Sequence, residues 1–435
     1  MEQSPKLKRT LGPLMLWGLG VGYVISGMYF GWNLGLEKGG TLGLAVATGF
    51  IIVMYLAFTF SYTELACAIP KAGGAFDYAM RGLGKEWGFL AGMAQNIEFL
   101  FAPPAIAFAI GAYLNIFLPD IPVLAIAIVA YVVFTFLNIY GVKAAASFEL
   151  IITVIAVIEL LIFAGATLPS FSWENMQQNA LPNGWSGAFA AIPFAIWFFL
   201  AIEGVANVAE ETINPQRNIL IGFGSAILTL VVLCLLTFSG AVGVAGWEAV
   251  VYDSSGSASD SPLPLALGKL FGENHLLFTL VTSIGLFGLI ASFHGIILAA
   301  GRSTFEFGRV GFAPKMLGKV HPRFQTPANA LLVNTAIGIV ALFTGKTAEI
   351  ITIACFGALT LYIVSMVTIL VLRKKEPDLE RPFKVPFYPA APIVALVIAS
   401  VAFVAMSVYN PTLLAVYLGI LVVSYGWFKM NEKAG

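Results

Sequence analysis

The chain has 435 residues, 59% of them hydrophobic and only 11% charged, against about 25% charged in a soluble domain. That balance excludes a soluble globular protein and points to an integral membrane protein. With 23 basic and 23 acidic residues the net charge is zero, and with no long basic run a nucleic-acid partner is not expected.

Apolar runs of about 20 residues, the length that crosses a bilayer, number twelve: 13–36, 41–68, 87–117, 122–141, 146–168, 186–207, 218–246, 275–301, 327–344, 347–372, 390–409 and 411–429. They are numbered here as segments one to twelve, and the expected fold is an all-α membrane protein with twelve transmembrane helices. The first run is longer than a signal-peptide core and lacks a clear small-residue cleavage site, so it reads as a retained helix. An even number of crossings puts both termini on one side. With the N terminus inside, 20 of the 23 basic residues are cytoplasmic, and only Lys38, Lys269 and Lys346 remain outside; the positive-inside rule therefore predicts cytoplasmic termini in a cytoplasmic (inner) membrane. The outer stretch Trp247 to Leu263, with its run Asp253-Ser254-Ser255-Gly256-Ser257-Ala258-Ser259-Asp260, reads as a flexible solvated loop.

Segment one carries Gly18, Gly20, Gly22, Gly27 and Gly31 and the polar Ser26, each interior glycine costing about 1 kcal/mol of helix stability against alanine. A break is expected at Ile25-Ser26-Gly27-Met28. Backbone freed inside hydrocarbon must face protein or a water-filled cavity, which is where a transporter holds its substrate; close packing through small residues is the alternative. In segment three, Glu98 lies about one turn before Pro103-Pro104, a pair that removes two backbone donors and is expected to bend the helix. Glu98 reads either as the counter-ion of an organic cation or as a structural carboxylate bonded to freed backbone groups.

Segment five holds Glu149 and Glu159, and segment eight holds His294, the sole intramembrane histidine, whose ordinary pKa near 6.5 suits a pH-sensitive step. Segment six is interrupted at Glu203-Gly204, well before its cytoplasmic end. An ionisable group at mid-bilayer costs roughly 2.5–3.5 kcal/mol on insertion scales, so Glu203 must face a cavity, a partner or a ligand. Of the aromatic residues near these breaks, Tyr29 and Phe199 are the expected contacts for an ammonium group. Glu210 and Glu211 are expected to pair with basic residues such as Arg217 or Arg302. Cys67, Cys234 and Cys355 are too few and too dispersed for a disulfide framework, and His275, His294 and His321 for a zinc ligand set; no cofactor or metal is expected.

Segments one and six stand five helices apart and so run in opposite directions, as discontinuous helices in matching positions of an inverted repeat must. The expected organisation is a first repeat at 1–168, a second at 186–372 and two added helices at 390–429.

The paired breaks, together with Asn207-Val208-Ala209-Glu210-Glu211-Thr212-Ile213-Asn214-Pro215-Gln216-Arg217-Asn218-Ile219 and Tyr62-Thr63-Glu64-Leu65-Ala66-Cys67-Ala68-Ile69-Pro70-Lys71-Ala72-Gly73-Gly74-Ala75-Phe76, resemble the amino acid–polyamine–organocation superfamily. Ile25-Ser26-Gly27 with Tyr29-Phe30-Gly31-Trp32, the stretch Glu98 to Ala107, and Ala291-Ser292-Phe293-His294-Gly295 resemble its ethanolamine permease branch. The resemblance spans nearly the whole chain and implies a five-plus-five inverted repeat (LeuT-like) with alternating access to a midplane site. Where that branch commonly has an acidic residue this chain has Met28, and where many proton-coupled relatives carry a lysine on segment five it has Ala156.

The expected function is therefore a secondary transporter, not an enzyme, importing a small ethanolamine-like amine by proton symport, with an amino-acid permease of the same fold as the alternative. The substrate-binding candidates are Ile25, Ser26, Gly27, Met28, Tyr29, Glu98, Phe199, Ala201, Ile202, Glu203 and Gly204. Glu159, His294 and Ser292 are the candidates for coupling to a proton or sodium ion. An amino-acid carboxylate would use the amides at Ser26, Gly27 and Met28; a simple amine would use Glu98 and Glu203.

Overall fold

A computed structural model describes residues 9–71, 73–140 and 145–434. Lys6, Lys8, Ala72 and the Gly141-Val142-Lys143 anchor of the segment-five comparison lie outside the described residues, as does the side chain of Lys433. Among the described residues regular structure is helical, apart from isolated bridges at Leu11–Thr212 and Tyr252–Ala258. Among the described residues, ten helical stretches are long and apolar enough to cross a membrane, which makes this a multi-pass membrane protein. The other two expected spans are shorter: segment one is divided into Pro13–Val24, Ser26–Tyr29 and a later turn, and segment nine is the 15-residue helix Ala328–Leu342.

The interruption of segment one differs from the expected one. Ile25 keeps helical angles (φ −59°, ψ −23°) and Ser26–Tyr29 form one turn, so the stretch 25–28 is a fault in the hydrogen-bond ladder and not an unwound strand. Full unwinding comes at Phe30–Asn33, where Phe30 is extended and Gly31 has φ +86°. Glycine adopts that conformation without steric cost, and a Cβ there would stand 2.4 Å from Trp197 Nε1. Helix then runs Leu34–Ala68 with a kink at Gly40 (φ 62°, ψ −172°), the turn between segments one and two.

Segment six also breaks earlier than expected. Ile192–Trp197 is helical, Phe198–Ala201 form turns, and a 3-10 helix follows at Ile202–Glu211. Glu203 and Gly204 therefore sit in the first turn after the break. Ala201 has φ +74°, a conformation that costs a residue with a Cβ about 1 kcal/mol or more and persists only where the surroundings enforce it.

Segment six is buried along its whole apolar length, whereas segment eleven, Ala390–Tyr409, is about one-third buried and segment twelve, Pro411–Ala434, is mostly exposed. Segment five, Ala145–Thr167, shows how the remaining helices sit. Glu149, Ile152, Thr153, Ala156, Glu159, Leu160 and Phe163 are buried, while Ile151, Ile155, Ile158 and Ile162 are exposed. This 3.6-residue alternation gives one face to the bundle and one to lipid. Segment three, Lys85–Asn115, continues as a helix through Pro103 and Pro104.

The loop after segment seven is docked and not free. Asp253 Oδ1 accepts from the amides of Ser255 and Ser257 at 2.8 and 3.1 Å, an Asx-type turn. Asn33 Nδ2 donates to Ser259 O at 2.8 Å, and Thr347 Oγ1 to Asp260 Oδ2 at 2.8 Å. The polar composition that suggested mobility supplies the anchors that hold the loop over the Phe30–Asn33 end of segment one.

Candidate functional site

The two interruptions face each other at the centre of the bundle. A Cβ on Gly27 would lie 2.4 Å from the Trp197 carbonyl oxygen, so only glycine permits the crossing at this distance. Trp197 Nε1 donates to Phe30 O at 3.0 Å and Trp32 Nε1 to Met28 O at 3.1 Å, so freed carbonyls of segment one are satisfied by indole N–H groups. Trp32 stacks on Phe198.

Ser292 of segment eight (Leu276–Arg309) enters the ladder fault of segment one. Its Oγ donates to Tyr23 O at 2.6 Å and accepts from Ser26 N at 3.3 Å. Met28 N donates to Ile25 O at 2.9 Å. Two of the three amides considered for a substrate carboxylate, those of Ser26 and Met28, thus have protein partners.

At the second break the carboxylates gather. Glu98 Oε1 accepts the Ala201 N–H at 3.0 Å, which holds Ala201 in its left-handed conformation. Tyr362 Oη donates to Glu203 Oε2 at 3.0 Å, and Tyr55 Oη lies 3.1 Å from Tyr362 Oη. Glu98 and Glu203 are both 0% exposed, and their carboxyl groups come within hydrogen-bonding reach of each other. One oxygen on each, Glu98 Oε2 and Glu203 Oε1, has no donor from the protein. Phe199 is buried beside them, its ring 5.2 Å from that of Tyr55. The arrangement gathers two carboxyl groups, an aromatic ring and two phenol hydroxyls around the break in segment six, residue types suited to an ammonium group.

Ser26, Gly27, Glu98, Phe199, Ala201 and Glu203 are therefore brought together around the two breaks. Ile25, Met28 and Ile202 are fully buried in the same region, and Gly204 packs against the Tyr23 ring. Tyr29 points elsewhere. Its ring lies against Gly285 and Gly288, and its hydroxyl bonds to Glu159 Oε2 and to Ala156 O. Glu159 is thereby tied to segment one, one turn beyond the backbone carbonyl of Ala156 that the same hydroxyl reaches. His294 stands apart from both groups, with Nδ1 3.6 Å from Glu149 Oε2. Tyr55 and Tyr362 escaped the sequence reading because a tyrosine in an apolar segment carries no local sign that its hydroxyl points inward.

Contacts flank this region on both sides. On one side stand Trp197, Trp32 and the docked loop at Ser259 and Asp260. On the other, Thr10 N and Leu11 N donate to Glu211 O at 2.9 and 3.0 Å, Ile213 N donates to Leu11 O at 2.9 Å, and Arg302 pairs with Glu211 at 3.0 Å. The two sequence motifs meet there as well: a Cβ on Gly74 would lie 2.5 Å from Asn207 Oδ1.

Comparison with known proteins agrees with this architecture. An uncharacterized transporter of Rhizobium meliloti is 27% identical over 98% of this chain and 93% of its own length. The branched-chain amino acid permease BcaP of Bacillus subtilis is 25% identical over 90% of this chain and 86% of its own. The low-affinity putrescine importer PlaP of Escherichia coli K12 is 26% identical over 78% of this chain and 75% of its own. The family profile described as amino acid permease matches residues 11–425, and the chain accordingly belongs to the amino acid permease family, within the amino acid–polyamine–organocation superfamily.

Proposed function

We propose that this transporter imports a small, ethanolamine-like amine, driven by the proton gradient, by alternating access between repeats at 1–168 and 186–372, with both termini cytoplasmic. The observation that carries the substrate class is the Glu98–Glu203 pair. Two carboxylates this close and this buried cannot both stay ionised unless a cation lies with them, so a proton or an ammonium group completes the pair. Met28, set where the ethanolamine branch commonly has an acid, leaves these two glutamates as the counter-ions.

The second reading is an amino-acid permease. It is favoured by the family to which the chain belongs and by the likeness to the branched-chain amino acid permease of Bacillus subtilis, and it would combine the same ammonium site with backbone groups near Gly27. Uptake into proteoliposomes separates the two, using labelled amines and amino acids under imposed proton or sodium gradients. Accumulation of ethanolamine-like amines under an inside-alkaline gradient is the expected result. Accumulation restricted to amino acids would establish the second reading, and dependence on sodium alone would exclude proton drive.

A further inference from the structure

We propose that Glu149 and His294 form a proton-binding site at the junction of segments one, five and eight, separate from the Glu98–Glu203 pair and occupied when the inner half of segment one, Pro13–Val24, is packed in place. The proposal rests on the transport reading only for its role, not for the site itself. Glu149 is 2% and His294 4% exposed. Glu149 Oε1, Glu149 Oε2 and His294 Nδ1 all lack a hydrogen-bond partner in the protein, and the 3.6 Å between Nδ1 and Oε2 is beyond ordinary hydrogen-bond length. Three unpartnered polar atoms thus converge from two helices.

Segment one forms the third wall. A Cβ on Gly22 would stand 2.6 Å from Glu149 Oε1 and 2.7 Å from Thr153 Oγ1, and one on Gly295 would stand 3.3 Å from Glu149 Oε1. The carboxylate is therefore clasped between glycines of segments one and eight, and Thr153 Oγ1 donates to Gly18 O at 3.3 Å. Phe134 and Phe148 set their edges or faces against the imidazole, and Asn138 Nδ2 reaches His294 O at 3.5 Å. The other titratable or charged groups that act on this junction are Tyr23 from segment one and the Arg302–Glu211 pair, all of which interact electrostatically around Tyr23 together with Glu149.

With no proton the pair carries one buried negative charge; with one proton, on either Oε or Nδ1, it is neutral overall. A closed apolar junction strongly disfavours the first state. Displacement of Pro13–Val24 would admit water, stabilise the bare carboxylate and release the proton, so protonation and closure of the inner half are linked. A sodium ion fits less well, because a hard cation prefers oxygen ligands and the imidazole nitrogen occupies one side.

The test is pH-dependent infrared difference spectroscopy of the full-length protein in liposomes, with no substrate added. Wild type should gain a protonated-carboxyl band on acidification that is absent in Glu149→Gln and shifted in midpoint in His294→Gln. A band unchanged in both variants, or a wild-type band abolished by sodium chloride at constant pH, would overturn the site; the sodium arm needs no variant. A second readout uses whichever labelled amine or amino acid wild type accumulates. A one-unit pH gradient supports at most about tenfold accumulation per proton, and Glu149→Gln should lose it while still exchanging labelled for unlabelled substrate. If wild type moves no compound, the transport reading fails while the infrared result still decides the site.

Discussion

Ser292 Oγ donates to the Tyr23 carbonyl oxygen at 2.6 Å across 269 residues of sequence, and the same hydroxyl accepts the amide of Ser26. A fault in one helix is thus repaired by a side chain of another. Ser292→Ala should leave both backbone groups without that partner and lower stability by about 0.5–2 kcal/mol, the range for hydrogen bonds between membrane helices and for unpaired buried groups. Thermal unfolding in detergent checks this, with Ser292→Thr expected to lie closer to wild type.

The Glu98–Glu203 pair should dominate substrate affinity. Glu203→Gln or Glu98→Gln is expected to weaken amine binding by about 2–5 kcal/mol, because an unpaired charge is left buried. Equilibrium binding to purified, folded variants measures the loss. Unchanged affinity in both would remove the counter-ion assignment and leave the amino-acid reading as the better one.

The docked loop after segment seven should respond to pH. Burial pushes the Asp260 carboxyl up from 3.8 to about 6, against the opposing hydrogen bond from Thr347. The docked form then binds more protons than the released form between about pH 4 and 6, so its stability is greatest below that window and falls as pH rises through it. A spin label at Ser257 should be more mobile at pH 7.5 than at pH 5, and Asp260→Asn should remove the difference.

Orientation has a direct check. The basic asymmetry predicts that Ser257 lies outside and both termini inside. A cysteine at Ser257 should react with an impermeant thiol reagent added to intact cells. Labelling only after the cells are opened would reverse the topology.

Apolar run length, glycine density and lysine and arginine placement are properties of each segment alone, so the sequence by itself determined a multi-pass helical membrane protein, its expected orientation and the presence of breaks in segments one and six. The glycines located the first break to within about one turn, since helix propensity is local. They could not place it on the residue. Unwinding settled at Phe30–Asn33 because Trp197 takes the Phe30 carbonyl, and at Phe198–Ala201 because Glu98, 103 residues away, takes the Ala201 amide. Only the tertiary structure decided that Glu159 belongs with Tyr29, that His294 belongs with Glu149, and that Tyr55 and Tyr362 line the acidic pair. In hydrocarbon a polar group must find a partner within the protein, and which partner it finds depends on how distant helices pack, which no single segment encodes.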